Sequence, residues 1–332
     1  MTKTQKKQDD GQHNFAKKLL NYVAFTGVYW IAIGTNLLML VGLFSYPSTV
    51  GLFCVLPYYT FTLLLSRSEM EEGSRWRRFS EGFFLFQVMR KYLRIRLICS
   101  KNLKQAEMTE NAQFIFAMFP HGTASDYRIL MDGILHTVFP KTCKKIRALA
   151  ASVLFRIPVV REMALWTGCV DASRKVAENI LKKGYSIIVL PGGEAEQIRT
   201  VYQRERIYLK KRKGFVKLAM RKGVPLVPSY VFGASDYYFT SKAFFAPRLW
   251  LQKKLGVCIP LAAGLWGSIF VPLPVKTTIV FGEPLTFKMK EEGAPTNEEL
   301  DVAHEEFCKA LRQLFDTHKN DLGYGDRELE LI

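Results

Sequence analysis

The residues with the clearest chemical potential lie in the run Phe119-Pro120-His121-Gly122-Thr123-Ala124-Ser125-Asp126. An imidazole accepts a proton near neutral pH, and a carboxylate can orient the ring and stabilise the imidazolium that results. A His at a Pro–Gly turn, with an acid five positions on in the first turn of the next helix, can bring the two side chains together. His121 and Asp126 are therefore the candidate catalytic pair. The same spacing also arises by chance in exposed loops, so alone it does not decide. Pro120 and Gly122 form the turn, and Gly122 and its neighbours offer backbone N–H groups to an oxyanion at the start of that helix.

Two further runs carry chemistry. Leu190-Pro191-Gly192-Gly193-Glu194-Ala195-Glu196 follows an apolar stretch; Gly192 and Gly193 permit close backbone approach, and acidic groups come next. Lys210-Lys211-Arg212-Lys213-Gly214-Phe215 is a basic cluster at a helix entrance, able to hold a polyanion such as a phosphorylated cofactor. Taken singly, these also read as a tight turn and a solvated charge run. The five His form no metal-ligand cluster. The six Cys are scattered without a Cys-x-x-Cys, which excludes a disulfide scaffold and a Cys-rich zinc site and suits reduced thiols facing a cytosol. No metal and no cofactor is expected.

Strands alternating with helices must position these runs. Short apolar stretches at Gln113–Phe119, Ile146–Ala150, Tyr185–Leu190, Leu226–Phe232 and Thr277–Phe281 read as buried strands. Helices are expected over Thr123–Val138, Val153–Trp166, Ser173–Lys183 with Gly184 closing it, and Val216–Arg221 ahead of Gly223. Thr296 and Glu299 form a capping box for a last helix, with Leu300, Ala303, Phe307, Leu311 and Leu314 as its stripe. The fold class is α/β, and ligands in such folds sit beyond strand ends.

With 48% apolar and 23% charged residues the chain is not wholly disordered. Residues 19–66 contain no Asp, Glu, Lys or Arg, a run of 48. About 20 apolar residues cross a bilayer core, so Leu19–Phe44 and Thr49–Leu65 read as a membrane hairpin turning at Ser45–Ser48. The second leg is short and holds Pro57, which suits re-entry as well as spanning. Lysines before the run and arginines after it put both ends in the cytosol. A buried helical pair in a soluble protein is the alternative. Over Arg75–Ile98, Phe79, Phe83, Phe86, Met89, Leu93 and Leu97 recur at helical spacing among arginines. That pattern fits a helix on an anionic membrane surface or an ordinary core-facing helix. The four segments expected are a disordered basic cytosolic tail (1–18), the hairpin (19–66), the amphipathic surface segment (67–104) and the catalytic domain (105–332). An uncharged, proline-containing stretch between Lys254 and Lys276 reads as irregular chain near lipid or an acyl chain. The net charge of +17 admits nucleic acid as a partner. Acidic lipids and a phosphorylated substrate explain the charge without it, and no nucleic acid is expected.

These motifs, in this order, resemble the type 2 diacylglycerol acyltransferase family, which includes monoacylglycerol and wax-alcohol acyltransferases. Its His-Pro-His-Gly signature is matched by Phe119-Pro120-His121-Gly122, with Phe119 in place of the first His. Its Pro-Gly-Gly-x-x-Glu signature is matched by Pro191-Gly192-Gly193-Glu194-Ala195-Glu196. Arg212-Lys213-Gly214-Phe215, Ala219, Gly223, Val227-Pro228 and Phe232-Gly233 match a third block, although Ala234 stands where Glu is common. Gly282-Glu283-Pro284-Leu285 resembles a late motif. Asp126 and the Gly168…Arg174 block are closer to related acyltransferases acting on lysophosphatidic acid.

The resemblance implies a glycerolipid-acyltransferase-like mixed sheet flanked by helices. It implies acyl transfer from acyl-CoA to the hydroxyl of a neutral lipid, with diacylglycerol giving triacylglycerol and His121 as general base. It further implies that Glu196 supports the site and that Arg174, Arg212, Lys213 and Gly214 meet acyl-CoA, which is a co-substrate and not a cofactor. The expected setting is the endoplasmic reticulum membrane, multi-pass, with the lipid-droplet surface and a homo-oligomer left open. Monoacylglycerol, a fatty alcohol or a lysophospholipid stay open as acceptors, and a non-catalytic lipid-binding scaffold is the reading outside enzymes.

Overall fold

The structure, a computed structural model, describes residues 3–65, 67–255, 258–289 and 293–332. Its centre is a seven-stranded mixed sheet. From one edge to the other the strands run Arg96–Cys99, Thr278–Phe281, Leu226–Phe232, Ile115–Phe119, Ser186–Val189, Ile146–Ala150 and Cys169–Asp171. The last five are mutually parallel, and Thr278–Phe281 runs against Leu226–Phe232. Ile115 pairs with Ile187 on one side and Leu226 on the other. These strands are apolar at consecutive positions because helices cover both faces.

Alternation sends successive side chains to opposite faces. Phe116 and Met118 join a core with Phe86, Met89, Leu93, Tyr127 and Leu130. Ile115, Ala117 and Phe119 join a second core with Val176, Ile180, Val216, Phe307 and Leu311. Val176 and Ile180 come from helix Arg174–Lys182, Val216 from Gly214–Lys222, and Phe307 and Leu311 from Asn297–Leu322. The capping box at Thr296–Glu299 is formed.

The amino-terminal helix runs unbroken from Lys3 to Ser45, so the tail read as disordered is helical. A nucleated helix extends at little cost into Lys- and Gln-rich residues of fair helix propensity. Met1, Thr2 and Ser66, which belonged to the expected tail and hairpin, lie outside the described residues. The chain breaks at Tyr46 (φ −138°, ψ 63°), and Pro47 opens the second leg. That leg, 47–65, alternates α and π turns around Pro57, as a residue without an N–H requires. Among the described residues, one helix is long and apolar enough to cross a membrane, Phe15–Ser45, with mean hydropathy 1.8.

The helix expected over Arg75–Ile98 is instead two, Arg77–Gly82 and Phe84–Tyr92, followed by the edge strand Arg96–Cys99. Its apolar stripe faces the protein, for Phe86 and Leu93 are fully buried. The stripe thus meets the core-facing alternative, while Trp76 and Phe84 of the same segment stay exposed. The helix expected over Thr123–Val138 shrinks to Asp126–Asp132 and a turn at Leu135–Thr137. Pro158 and Val159 (φ 68°) split the one expected over Val153–Trp166. The greasy stretch before Lys276 lies along the first helix: Trp266 packs on Phe15 and Tyr22, and Phe270 stacks on Tyr29.

Candidate active site

Strand Ile115–Phe119 lies between two parallel neighbours, and its carboxyl end delivers Pro120 and His121 beside the turn that leaves Ser186–Val189. Phe119 is fully buried near Phe215 and Phe307. The position where the family signature has its first His therefore points into the core here, away from the chemistry.

His121 is partly buried, and its Nδ1 lies 3.1 Å from the Gly122 carbonyl oxygen. A carbonyl can only accept, so Nδ1 carries the hydrogen and Nε2 keeps the free lone pair. Burial holds the imidazole below its usual pKa of 6.5, so the ring is neutral at neutral pH. Both features suit a general base.

Three contacts hold the loop, and a fourth fixes the Glu196 carboxylate that makes one of them. The His121 main-chain N–H donates to Glu196 Oε1. Glu196 Oε2 accepts from the Tyr208 N–H at 2.8 Å. Tyr127 donates its hydroxyl to the Pro120 carbonyl at 2.7 Å, and Gln197 donates its amide to the Thr123 carbonyl at 2.6 Å. Glu196 is 1% exposed. Burial pushes its carboxyl up to about 7, against the opposing pull of the two N–H donors and Arg212. Gly192 is needed because a Cβ there would collide with the Glu196 carboxylate. Gly193 takes a positive φ of 50° as the short helix Gly193–Gln197 begins. Gly122 has φ 70°, and a Cβ there would stand 3.2 Å from the Ala234 carbonyl oxygen. Among the described residues, no acceptor meets the main-chain N–H of Gly122 or Thr123.

The expected His121–Asp126 pair is not formed. Asp126 Oδ1 accepts from the Tyr29 hydroxyl at 2.6 Å and Oδ2 from the Tyr238 hydroxyl at 3.1 Å. Both oxygens of this buried acid are thus taken by residues remote in sequence. The tautomer-fixing role expected of it falls to the Gly122 carbonyl. Burial raises the Asp126 carboxyl above its usual range, and the two tyrosine hydroxyls oppose the rise.

The residues expected to meet acyl-CoA separate. Arg174 and Gly214 line a cavity of about 270 Å³ between helices Arg174–Lys182 and Gly214–Lys222. Ile115, Leu149, Val189 and Leu218 give it an apolar floor, and Lys217 and Arg221 add positive charge. Glu178 accepts from Arg174 Nε at 2.9 Å and from Arg221 Nη1 at 3.3 Å. Arg212 turns elsewhere, its guanidinium 5.2 Å from the Tyr208 ring centre and 3.5 Å from the Gly192 carbonyl. Lys213 pairs with Asp301 at 2.5 Å on the surface. Sequence reasoning missed Lys217, Arg221, Gln197, Tyr208, Tyr29 and Tyr238. Lys217 and Arg221 carried a signal, four apart on one helix face.

The family model described as diacylglycerol acyltransferase matches residues 46–332. Diacylglycerol O-acyltransferase 2 of Homo sapiens is 32% identical over 289 residues, covering 82% of this chain and 72% of that protein. The protein of the same name from Danio rerio is 31% identical over 293 residues, covering 82% and 78%. The solved 1-acyl-sn-glycerophosphate (LPA) acyltransferase of Thermotoga maritima aligns over 84% of this chain and 97% of its own, at 19% identity and a TM-score of 0.40. The family match starts at the hairpin turn and runs to the last residue, taking in His121, Glu196 and the cavity, and the chain belongs to the diacylglycerol acyltransferase family.

Proposed function

We propose that this chain, an acyl-CoA-dependent O-acyltransferase, acts on diacylglycerol to form triacylglycerol, with His121 as general base. The observation that carries the reading is the His121 ring, neutral, with Nδ1 committed to the Gly122 carbonyl and Nε2 left to accept a proton. An alcohol holds its proton far too tightly to ionise at neutral pH and is a weak nucleophile, and general-base assistance is worth roughly 10²–10⁴ in rate. Nε2 takes the hydroxyl proton as that oxygen attacks the thioester carbonyl. The unpaired N–H groups of Gly122 and Thr123 are the donors for the oxyanion. Collapse breaks the carbon–sulfur bond, and the CoA thiolate recovers the proton from the imidazolium. Arg174, Lys217 and Arg221 around an apolar cavity support a site for an amphiphile with an anionic head, as acyl-CoA is.

The hairpin brings this site to the lipid. Asn36 donates to the Pro158 carbonyl at 2.8 Å, and on the return leg Tyr59 donates to the Arg156 carbonyl at 3.1 Å. Beyond these ties the tip is exposed, with Leu38 at 74% and Phe44 at 89%. Asn36 to Ser45 advances only about 13 Å along a helix, close to half of a ~30 Å hydrocarbon core. That length supports a hairpin dipping into one leaflet of the endoplasmic reticulum membrane, with both ends cytosolic. The same form fits a lipid-droplet monolayer. Ser45→Cys with Cys54→Ser should resist labelling from the lumen, and labelling there would exclude the one-leaflet form.

Purified protein given one labelled acyl-CoA and separate diacylglycerol, monoacylglycerol, fatty alcohol and lysophospholipid acceptors tests the substrate. Triacylglycerol should dominate. His121→Ala should lower turnover by about 10²-fold or more. A dominant product from another acceptor overturns the substrate, and near-normal His121→Ala turnover overturns the base.

A further inference from the structure

Asp126 opens the helix Asp126–Asp132, one residue past the loop that carries His121 and the free N–H groups of Gly122 and Thr123. It is 7% exposed, and no cation pairs with it among the described residues. Its partners are hydroxyls. Tyr238 follows strand Leu226–Phe232, while Tyr29 comes from the helix that the hydropathy marks for lipid. Tyr237 also lies close, but its hydroxyl is engaged with Thr277 at 2.8 Å.

Tyr29 is fixed from several sides. Its ring stacks on Phe270, with centroids 4.9 Å apart. On the same helix Phe25, Val28 and Ala32 are buried, and Phe25 and Val28 share a core with Tyr127, Leu130 and Met131 of the Asp126 helix. The opposite face, with Val23 and Trp30, is exposed. One face of a lipid-suited helix is therefore docked on the catalytic domain, and its tyrosine hydroxyl is spent on an acid beside the catalytic loop.

We propose that Tyr29 is a positioning residue of the acyltransferase site: the amino-terminal apolar helix completes the site by clamping Asp126 through the Tyr29 hydroxyl, with Tyr238 as the second clamp. The catalytic loop is then held at both ends. Glu196, Gln197 and Tyr127 hold the His121 side, and the tyrosine-held Asp126 fixes the side where the helix begins. The proposal rests on the functional reading above for the identity of the loop. It follows that lifting the helix off the domain releases one end of the loop, so the anchor governs turnover as well as location.

The test uses the full-length chain in phospholipid vesicles, with Tyr29→Phe, Asp126→Asn and the double variant. Tyr29→Phe keeps the ring and its stacking and removes one hydroxyl. kcat should fall about tenfold, as for loss of a hydrogen bond to an ionised group, with KM for acyl-CoA almost unchanged. Losing a donor leaves the burial of Asp126 less opposed, so the low-pH fall of kcat, set by His121 in wild type, should begin at higher pH in the variant, where Asp126 takes up its proton first. In the Asp126→Asn background, Tyr29→Phe should cause little further loss, because the two act as one unit. Wild-type kcat with an unmoved acid limb in Tyr29→Phe overturns the proposal, as does fully additive loss in the double variant. If Tyr29→Phe lowers the folded yield, Tyr238→Phe provides the same cycle from the second clamp. Full activity of Asp126→Asn also overturns the proposal and leaves the His121 reading intact, while full activity of His121→Ala defeats that reading and leaves the Tyr29–Asp126 cycle readable.

Discussion

Glu196→Gln exchanges one oxygen for an amide group at nearly constant volume. In the native site both carboxylate oxygens accept main-chain N–H groups, one from His121 and one from Tyr208. Glutamine offers one acceptor, so one N–H must face an NH₂ group in the interior. The Gly192 wall leaves that group no room to swing away. Leaving a buried donor unpaired costs about 1–3 kcal/mol. If the whole cost appears at the His121 loop, kcat falls about 5- to 150-fold. Stability should respond differently. Burial raises the Glu196 carboxyl from 4.5 to about 7. Its contribution is therefore fully present below 4.5 and is lost as pH rises through about 7. Above that, the native enzyme bears a buried charge that glutamine lacks, which offsets part of the lost hydrogen bond. At pH ~8 the variant should melt close to wild type while kcat remains low, since charge relief does not restore the second acceptor. Triacylglycerol formation by purified enzyme across pH, with melting measured in the same detergent, gives both quantities. A Glu196→Gln enzyme with kcat within about twofold of wild type would refute the argument.

Gly192→Ala should mimic that kcat loss, because its Cβ drives the Glu196 carboxylate off the two N–H groups; the turnover of the purified variant decides it. Arg174→Glu and Arg221→Glu should each raise KM for acyl-CoA roughly 3- to 10-fold with kcat nearly unchanged, a modest effect because exposed charges are screened; initial rates over a range of acyl-CoA measure it. Wild-type kcat should fall as pH drops below 6.5, where the His121 imidazole, its pKa lowered by burial, becomes protonated and can no longer accept a proton; rates under saturating substrate follow that limb. Thr296→Ala removes the capping box of helix Asn297–Leu322 and should cost about 1 kcal/mol, seen as a drop of about 2–4 °C in Tm with kcat unaffected.

The five strands that the sequence marks lie within about two residues of their expected ends, because strands buried on both faces leave long apolar runs. Arg96–Cys99 and Cys169–Asp171 leave no such trace. One is an edge strand whose burial is uneven, and the other has three residues. Helix ends inside 123–166 are set by backbone that no periodicity reports, such as Val159 at φ 68°. In the site, His121, Gly192 and Glu196 were legible, since a His at a strand end and glycines before an acid have local signatures. The partner of Asp126 was not. Spacing suggested His121, five positions back, whereas the hydrogen bonds come from 97 and 112 residues away. A tyrosine in an uncharged run looks the same whether it meets lipid headgroups or a buried carboxylate.

That distant partner bears on how the His121 loop is tied to the amino-terminal apolar helix. Fixing the imidazole tautomer needs an acceptor at Nδ1, and here the loop supplies its own in the Gly122 carbonyl. Such an acceptor moves with the ring and needs no outside element. Asp126 is thereby released from orienting the ring. A buried carboxylate still requires donors, and the donors available decide which elements it ties together. Had they been main-chain N–H groups of its own helix, the acid would have been a local cap. As they are hydroxyls from the apolar helix and from the chain after strand Leu226–Phe232, the acid joins three segments at the end of the His121 loop. Loss of any one donor leaves a half-satisfied carboxylate at the end of the catalytic loop. The helix carrying Tyr29 therefore has reason to stay on the domain whether or not lipid surrounds its other face, and lipid that draws the helix away must compete with that hydrogen bond.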